Sequence, residues 1–336
     1  MQRPPLTPIF ILGIMPRSGT NYLNSLLLLH PETASRPGIP EDFLLAQAHH
    51  LQQYRDGVFG SWPLIWGTPP AAEGDSLLRH IGDGLVHWLA DPVSGKRVVT
   101  KTPSVANLDL FPLLFPDACA LIVIRDGRSV VESGVRSFDW SYPVAMRQWA
   151  NAARQVMEFD RRYHDSGYRY RILRYEDLFA PTDDRVIDLL AFCQLDPRRF
   201  DLDAARKLPV RGSSEARRTG ELRMHWQPVD RIAGFDPTRR FSQWDAYRHR
   251  QFAAIAGEAQ CALGYSLETP SYPSVRLRAR NRIQDTKRKI GRRSLLTYTR
   301  DRVMSAACRR ACRSAVPASL SVRNSALAAT DASTQE

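Results

Sequence analysis

A short loop near the N-terminus contains residues that are suited to binding an anion. It joins the apolar run of residues 8–15 to a helical pattern, and it has the sequence Pro-Arg-Ser-Gly-Thr-Asn over residues 16–21. A loop that leads into a helix offers unpaired backbone N–H groups and the positive end of the helix dipole. Gly19 permits close approach of the backbone, Arg17 supplies a cation, and short hydrogen-bonding side chains stand at Ser18, Thr20 and Asn21. These residues together predict a phosphate-binding loop.

Two features distinguish this loop from that of a magnesium-dependent nucleotide hydrolase. The hydrolase loop contains Gly-Lys-Ser/Thr, whose hydroxyl binds Mg²⁺, whereas here Arg17 precedes Gly19 and the loop contains no Gly-Lys pair. A second apolar run, residues 118–124, ends in Arg125, at a position where ATPases and GTPases use an aspartate to help hold Mg²⁺. Two strand ends that both offer cations predict a nucleotide with phosphates at two places, bound without a metal.

The elements that must position these residues alternate along the chain. Strands joined to helices by short loops predict an α/β fold, with a parallel β-sheet flanked by helices and a P-loop-like strand-loop-helix. Residues 209–245 are rich in Arg, Gly, Pro and Trp and predict an extended loop over the site. The predicted strands are 8–15, 97–100, 118–124 and 170–173, and the predicted helices are 20–30, 142–164, 184–193, 248–263 and one that begins near 128.

Positive charge is concentrated towards the C-terminus of this 336-residue chain. Residues 1–269 carry 32 Lys and Arg against 31 Asp and Glu, whereas residues 270–313 carry 14 against 2. We therefore expect a catalytic domain over 1–269, a basic and helical arm over 270–313 and a disordered tail over 314–336. The arm favours peripheral contact with a membrane or a polyanion. It has only two aromatic residues, Tyr272 and Tyr298, so we expect no nucleic acid partner.

The location of the protein is predicted from two absences in the sequence. No apolar run reaches the roughly 18 residues that a membrane span requires. The five cysteines are odd in number and scattered, which argues against a disulfide framework and favours a reducing compartment. We therefore expect a cytoplasmic protein, with possible peripheral contact at the inner face of the membrane through the basic arm.

Four segments in order resemble those of the sulfotransferases that use 3′-phosphoadenosine 5′-phosphosulfate (PAPS). Residues 17–23 resemble the loop for the 5′-phosphosulfate, and residues 125–133 resemble the segment that grips the 3′-phosphate. Residues 174–178 match a Tyr-Glu-Asp-Leu stretch, and residues 263–265 match the end of the last core helix. The resemblance is closer to bacterial and Golgi members acting on glycans and tyrosines than to the small-phenol enzymes. One departure is Gly127, where the family often has Pro; both suit a turn, so we expect little cost.

This resemblance implies sulfuryl transfer from PAPS to an acceptor hydroxyl, with adenosine 3′,5′-bisphosphate (PAP) released and no metal required. Arg17 and Lys101, which lies in a Thr-Lys-Thr-Pro stretch after a strand, would neutralise the leaving phosphate. The acceptor is expected to be a glycan or a lipid-linked saccharide. The implied cofactor-binding residues are Arg17, Ser18, Gly19, Thr20, Asn21, Arg125, Ser133, Tyr175 near the adenosine, and Ser213 and Ser214, reinforced by Arg211, Arg217 and Arg218.

The general base is predicted less directly. Family members use Glu or His between the first loop and the lysine, and Glu41 is our choice within residues 36–43. Asp42, His49 and His50 remain alternatives. Trp226 and Trp244 are expected to be packing anchors of the late loop rather than a substrate platform.

Overall fold

The computed structural model describes most of the first 267 residues, and its centre is a five-stranded parallel sheet in the order β2-β3-β1-β4-β5. The strands are β1 (Ile9–Gly13), β2 (Thr33–Ala34), β3 (Arg97–Thr102), β4 (Cys119–Ile124) and β5 (Tyr170–Arg174). A separate antiparallel pair joins β6 (Val210–Arg211) to β7 (Pro228–Val229). The described residues are 7–63, 65, 67, 71–93, 95–179, 182–211, 228–229, 236, 238–267, 275, 279 and 283.

Helices cover both faces of the sheet. They are α1 (Thr20–Leu27), α2 (His49–Gly60), α3 (Ala71–Ala90), α4 (Phe111–Leu114), α5 (Gly127–Phe138), α6 (Tyr142–Tyr163), α7 (Tyr175–Phe179), α8 (Asp183–Phe192), α9 (Leu202–Arg206) and α10 (Ala246–Ala262). The predicted α/β class is confirmed, and each predicted strand and helix is present within a few residues of its expected ends. The sequence interpretation omitted α2, α3, the short helices α4, α7 and α9, and the two-residue strands β2, β6 and β7. Helix α2 buries none of its residues, so it lacks the apolar stripe by which a helix is recognised.

The core lies on the two faces of β1 and β4, because side chains alternate along a strand. Phe10 and Leu12 point to one face, where Trp149 of α6 and Phe252 of α10 are fully buried. Ile9 and Ile11 point to the other face, against Leu23 of α1 and the helix α8. Burial on both faces explains why these strands are continuously apolar in sequence.

The parallel arrangement brings four strand ends to one edge of the sheet. Leu12 of β1 pairs with Thr102 of β3, and Gly13 pairs with Val123 of β4. Ile124 at the end of β4 pairs with Arg174 at the end of β5. The segments that follow β3, β1, β4 and β5 therefore leave the sheet side by side, about 4.8 Å apart from strand to strand.

The described fold belongs to the first of two compact units, residues 1–281; the second unit is 282–336. The predicted boundaries at residues 269 and 313 stay predictions, because nearly all of the arm lies outside the described residues. Within the described part of the chain, no helix has both the length and the apolarity needed to cross a membrane.

Candidate active site

The loop after β1 adopts a backbone that only a few residue types tolerate. Gly19 is the N-cap of α1 and has a φ of 107°, and Arg17 has a φ of 77°. A Cβ atom at Gly19 would lie 2.1 Å from the ring of Tyr175, so a larger residue has neither the conformation nor the space. Because glycine has no side chain, no cap side chain accepts the first N–H groups of α1. The loop thus has the geometry of an anion site at a helix N-terminus.

Ser18 lies at the base of this loop and is fully buried. A Cβ atom placed on Gly13 would be 2.4 Å from the Ser18 Oγ, which shows that the hydroxyl is turned towards the end of β1. The Oγ has no hydrogen-bond partner among the described residues. A buried hydroxyl without a partner is the kind of group that a bound anion satisfies.

Three arginines come together around the loop. The Arg17 Nε donates to the Ser133 Oγ at 3.0 Å, and the Arg125 Nη1 donates to the Arg17 carbonyl at 2.6 Å. Burial, together with the neighbouring charges of Arg125 and Arg240, lowers the pKa of Arg17 to about 10. Like charges held this close favour a bound polyanion. The predicted residues Arg17, Arg125 and Ser133 therefore meet, although 116 positions separate the first from the last.

Arg240 is a residue that sequence reasoning did not single out. It lies in the stretch that was predicted only as an Arg-rich covering loop, where many arginines compete for the same role. Residues 238–244 are fixed on α5 by three contacts. The Ser129 Oγ donates to the Thr238 carbonyl at 2.5 Å, and the Arg128 guanidinium lies 3.9 Å from the centre of the Phe241 ring. The third contact is the Trp244 Nε1, which donates to the Glu132 Oε2 at 2.7 Å, so Trp244 packs as an anchor of this loop.

Tyr175 packs against the loop that follows β1. Its ring is 3% exposed, contacts the position of Gly19 and lies 4.4 Å from the Arg125 guanidinium carbon. Burial raises the pKa of its hydroxyl. The role near an adenosine stays a prediction, but the structure gives Tyr175 a packing function against Gly19 and Arg125.

The remaining matched motifs join three strand and helix ends. Glu176 accepts hydrogen bonds from the Asp126 N–H at 3.0 Å and from the Tyr265 hydroxyl at 2.9 Å. The Arg174 Nη2 donates to the Leu263 carbonyl at 2.9 Å. These contacts fix the end of α10 against the ends of β4 and β5. The residues of these two motifs therefore have a structural role in this fold.

The contacts of Gly127 explain why glycine stands where the family often has proline. Its N–H donates to the Gln260 Oε1 at 3.1 Å, and a Cβ atom here would lie 2.6 Å from Trp149 and 2.7 Å from Phe252. Proline lacks the N–H and would overlap both rings. In this chain the glycine is required by packing, not by a turn.

Lys101 and Glu41 form an ion pair at the end of β3. The distance between the Lys101 Nζ and the Glu41 Oε1 is 2.9 Å, and Lys101 is only 7% exposed. The two residues are 60 positions apart in sequence and were predicted separately as a cation and a base. Their strand end is adjacent to the loop after β1 in the sheet.

The alternative bases have other roles in the structure. The two carboxylate oxygens of Asp42 accept from the hydroxyls of Thr100 at 2.6 Å and Thr102 at 2.9 Å. Burial raises the pKa of Asp42 against the opposing effect of these bonds. The ring centres of His49 and His50 lie 3.9 Å apart at the start of α2, with the rings tilted by 40°, and neither residue lines the cavity beside Glu41. Glu41 is therefore the carboxylate that reaches a ligand-sized space.

That space is a cavity of about 650 Å³ next to the ion pair. Its volume lies within the range of small-molecule sites. Asn21, predicted as part of the phosphate loop, lines this cavity, whereas Thr20 is buried at the start of α1. The described lining residues are Asn21, Asn24, Leu28, Ser35, Arg36, Gly38, Ile39, Pro40, Glu41, Phe43 and Lys101.

Several predicted contacts lie outside the described residues. They are Ser213, Ser214, Arg217, Arg218 and Trp226. The backbone of Arg211 is described, where β6 pairs with β7. Within the described ranges, no three His, Cys, Asp or Glu side chains are grouped as a metal site would need.

Three of the solved structures that match the chain are sulfotransferases, each at 20% identity or less. The sulfotransferase domain of an olefin synthase from Synechococcus is 20% identical, covers 80% of this chain and 98% of its own, and has a TM-score of 0.49. A sulfotransferase domain of the curacin biosynthetic pathway is also 20% identical, with coverages of 80% and 100% and a TM-score of 0.47. The sulfotransferase STF9 of Mycobacterium avium is 16% identical, with coverages of 80% and 79% and a TM-score of 0.42.

Sequence comparison gives the family. No curated protein sequence matches the chain. A family model described as the sulfotransferase family matches residues 8–199, which is more than half of the chain and includes the loop after β1, Glu41, Lys101 and residues 125–133. The chain belongs to the sulfotransferase family and is a sulfotransferase enzyme.

Proposed function

We propose that the protein transfers the sulfuryl group of PAPS to an acceptor hydroxyl, without a metal, and releases PAP. The observation that carries this proposal is the convergence of Arg17, Arg125 and Ser133, with the Lys101–Glu41 pair at the adjacent strand end. The family generally uses PAPS as the donor. Metal independence is supported by Arg125, since its cation stands where related folds place a metal-binding aspartate.

The donor-binding roles follow from the two strand ends. Residues 17–21 would hold the 5′-phosphosulfate, because the loop offers backbone N–H groups, the buried Ser18 hydroxyl and the Arg17 guanidinium. Arg125 and Ser133 would hold the 3′-phosphate, with Tyr175 near the adenosine. Arg240 adds a further cation. The pKa of Arg17 is lowered first by burial and then by repulsion from Arg125 and Arg240, and bound phosphates would relieve that repulsion. Ser213 and Ser214 remain proposed contacts on sequence alone.

The protein forms no covalent bond to the sulfuryl group in this reaction. Catalysis therefore depends mainly on positioning the reactants and on neutralising charge. When PAPS is bound, its S–O bond to the 5′-phosphate breaks as the acceptor oxygen forms a new S–O bond. Glu41 accepts the proton of the acceptor hydroxyl. Its carboxylate then loses its negative charge, which weakens its attraction for the Lys101 ammonium. Lys101 and Arg17 would neutralise the charge that develops on the leaving phosphate.

The acceptor and the location complete the proposal. We take the acceptor to be a glycan or a lipid-linked saccharide, on the resemblance to glycan-type members. We place the protein in the cytoplasm, with residues 270–313 in peripheral contact with an anionic membrane face or a polyanion. The support for this contact is the arm's 14 basic against 2 acidic residues.

Calorimetric titration with PAP in the presence of a chelator tests the donor site. We expect metal-independent binding that is much tighter than that of ATP with Mg²⁺, and we expect Arg125→Ala to weaken PAP binding at least about tenfold, as for a lost charge-assisted hydrogen bond. Arg161→Ala is a matched control, because Arg161 is an exposed arginine on α6 paired only locally with Glu158. Binding of Mg-ATP in preference to PAP would contradict the proposal.

A further inference from the structure

The cavity beside Glu41 has a lining of mixed chemistry. Asn21 and Asn24 lie one turn apart on α1, and the Ser35 Oγ contacts the Asn24 Oδ1 at 3.5 Å, so neutral hydrogen-bonding groups are grouped together. Leu28, Ile39 and Phe43 contribute apolar side chains to the same cavity. Such a lining suits a ligand that is itself part polar and part apolar.

Phe43 combines two features that are each unfavourable for an isolated protein. Its φ is 51°, in the left-handed region that bulky residues avoid, and its side chain is 44% exposed. The turn around it is held firmly: the Phe43 N–H donates to the Thr102 Oγ1 at 3.0 Å, and the Asp42 N–H donates to the Lys101 carbonyl at 3.1 Å. Backbone strain that its surroundings maintain in this way points to function. The turn places an exposed aromatic ring in the lining directly after the proposed base.

The charged groups of the described lining are already engaged. Lys101 is paired with Glu41. The Arg36 guanidinium lies 4.4 Å from the centre of the Trp88 ring and donates to the Trp88 carbonyl. Both cations thus have partners within the protein, so a neutral ligand can bind without leaving either of them unpaired.

From these contacts we propose that the acceptor is a neutral amphipathic glycoside, a sugar that carries an apolar aglycone. Its hydroxyls would bond to Asn21, Asn24 and Ser35, and the aglycone would pack against Leu28, Ile39 and Phe43. The inference rests on the proposed function, because it places one sugar hydroxyl at Glu41. Of the two acceptor classes proposed above, glycans and lipid-linked saccharides, it selects saccharides linked to an apolar group, and it makes Phe43 a specificity-determining residue.

Calorimetric titration of the PAP-saturated enzyme with two probes tests the inference. The probes are hexyl β-glucoside, kept below its micellar concentration, and methyl β-glucoside, which has the same sugar. We expect the hexyl compound to bind at least about tenfold more tightly, because each buried methylene contributes roughly a fourfold factor in affinity. A ratio near one, or no measurable binding of the hexyl compound, overturns the inference.

Three variants separate the Phe43 ring from general effects. Phe43→Asn removes the ring while keeping a residue that tolerates positive φ, and we expect the hexyl-to-methyl ratio to fall below about threefold. Phe43→Leu keeps an apolar side chain and should retain most of the ratio. Tyr54→Ser is the control, since Tyr54 is an exposed aromatic on α2 that does not line the cavity. A ratio that Phe43→Asn leaves unchanged overturns the inference.

PAP affinity distinguishes this inference from the proposed function. All three variants should bind PAP as the wild type does, because none of the altered residues belongs to the phosphate loop or to its arginines. If the wild type binds PAP but shows no preference for the hexyl group, the acceptor class is wrong and the donor site stands. If the wild type does not bind PAP, the proposed function fails and this inference fails with it.

Discussion

The donor half and the acceptor half of the candidate site are built in different ways. The donor half, at the ends of β1, β4 and β5, consists of packed residues whose positions depend on one another, such as Gly19 against Tyr175 and Arg125 against Arg17. The acceptor half, at the end of β3, consists of the Lys101–Glu41 pair and a loop whose side chains line an accessible cavity. We infer that the first half is constrained by one ligand shape, whereas the second can vary with the acceptor.

The largest expected effect concerns chemistry in the acceptor half. Glu41→Gln removes the proposed base and should lower kcat by about 10³-fold, within the usual range for general base catalysis. PAP affinity should stay within about twofold, because Glu41 contacts Lys101 and not the phosphate loop. Steady-state kinetics and PAP titration together check both outcomes.

Glu158→Gln is the control for this change, since Glu158 is an exposed glutamate on α6 with purely local partners. Equal activity of Glu41→Gln and the wild type would eliminate Glu41 as the base. The proposed assignment of donor binding to one half and of proton transfer to the other would then be wrong.

Two glycines sharpen the comparison through stability. Gly19 and Gly38 both have positive φ, 107° and 76°, but a Cβ atom at Gly19 meets Tyr175 whereas one at Gly38 meets nothing within 4 Å. Gly38→Ala should cost about 1 kcal/mol from backbone strain alone. Gly19→Ala should cost about 3 kcal/mol, because overpacking adds to the strain, and it should also weaken PAP binding.

Urea denaturation of the two variants measures this difference in the free energy of unfolding, and titration measures PAP affinity. Gly38 lines the acceptor cavity, so Gly38→Ala should leave PAP affinity unchanged. Equal losses of stability would show that the donor loop is no more tightly packed than the acceptor loop.

The smallest effect is a dependence of stability on pH at Asp42. Burial raises its pKa above 3.8 in the folded state, so the folded protein binds the proton more readily than the unfolded chain does. The stabilising contribution of this protonation is fully present below pH 3.8 and is lost as pH rises through the folded pKa. Asp42→Asn lacks this titration, and its free energy of unfolding should therefore decline less over that window.

Urea denaturation of the wild type and Asp42→Asn at several pH values across the acidic range checks the sign. Asp56→Asn, which alters an exposed carboxylate on α2, controls for general acid effects. A difference between the wild type and Asp42→Asn that grows as pH rises towards neutrality in favour of the wild type would contradict the prediction.

Much of the fold was predictable because its signals are local. The continuous apolar runs of β1 and β4 predicted buried parallel strands, since both of their faces are covered by helices. Helix α2 was not predicted, because none of its residues is buried and it therefore has no buried apolar stripe. The close packing around Gly127 was not predicted, since the two rings beside it come from α6 and α10, distant in sequence.

The sequence by itself determined which residues can bind phosphate, because the Arg-Ser-Gly-Thr-Asn loop and Arg125 have chemical identities that no fold can alter. It also indicated Lys101 and Glu41 as separate candidates. Only the tertiary structure decided that these two residues form one ion pair. It also decided that the Asp42 carboxylate accepts hydrogen bonds from Thr100 and Thr102, and that the Arg240 charge lies near Arg17. These contacts join residues that are many positions apart, and they exist because parallel strands end at a common edge.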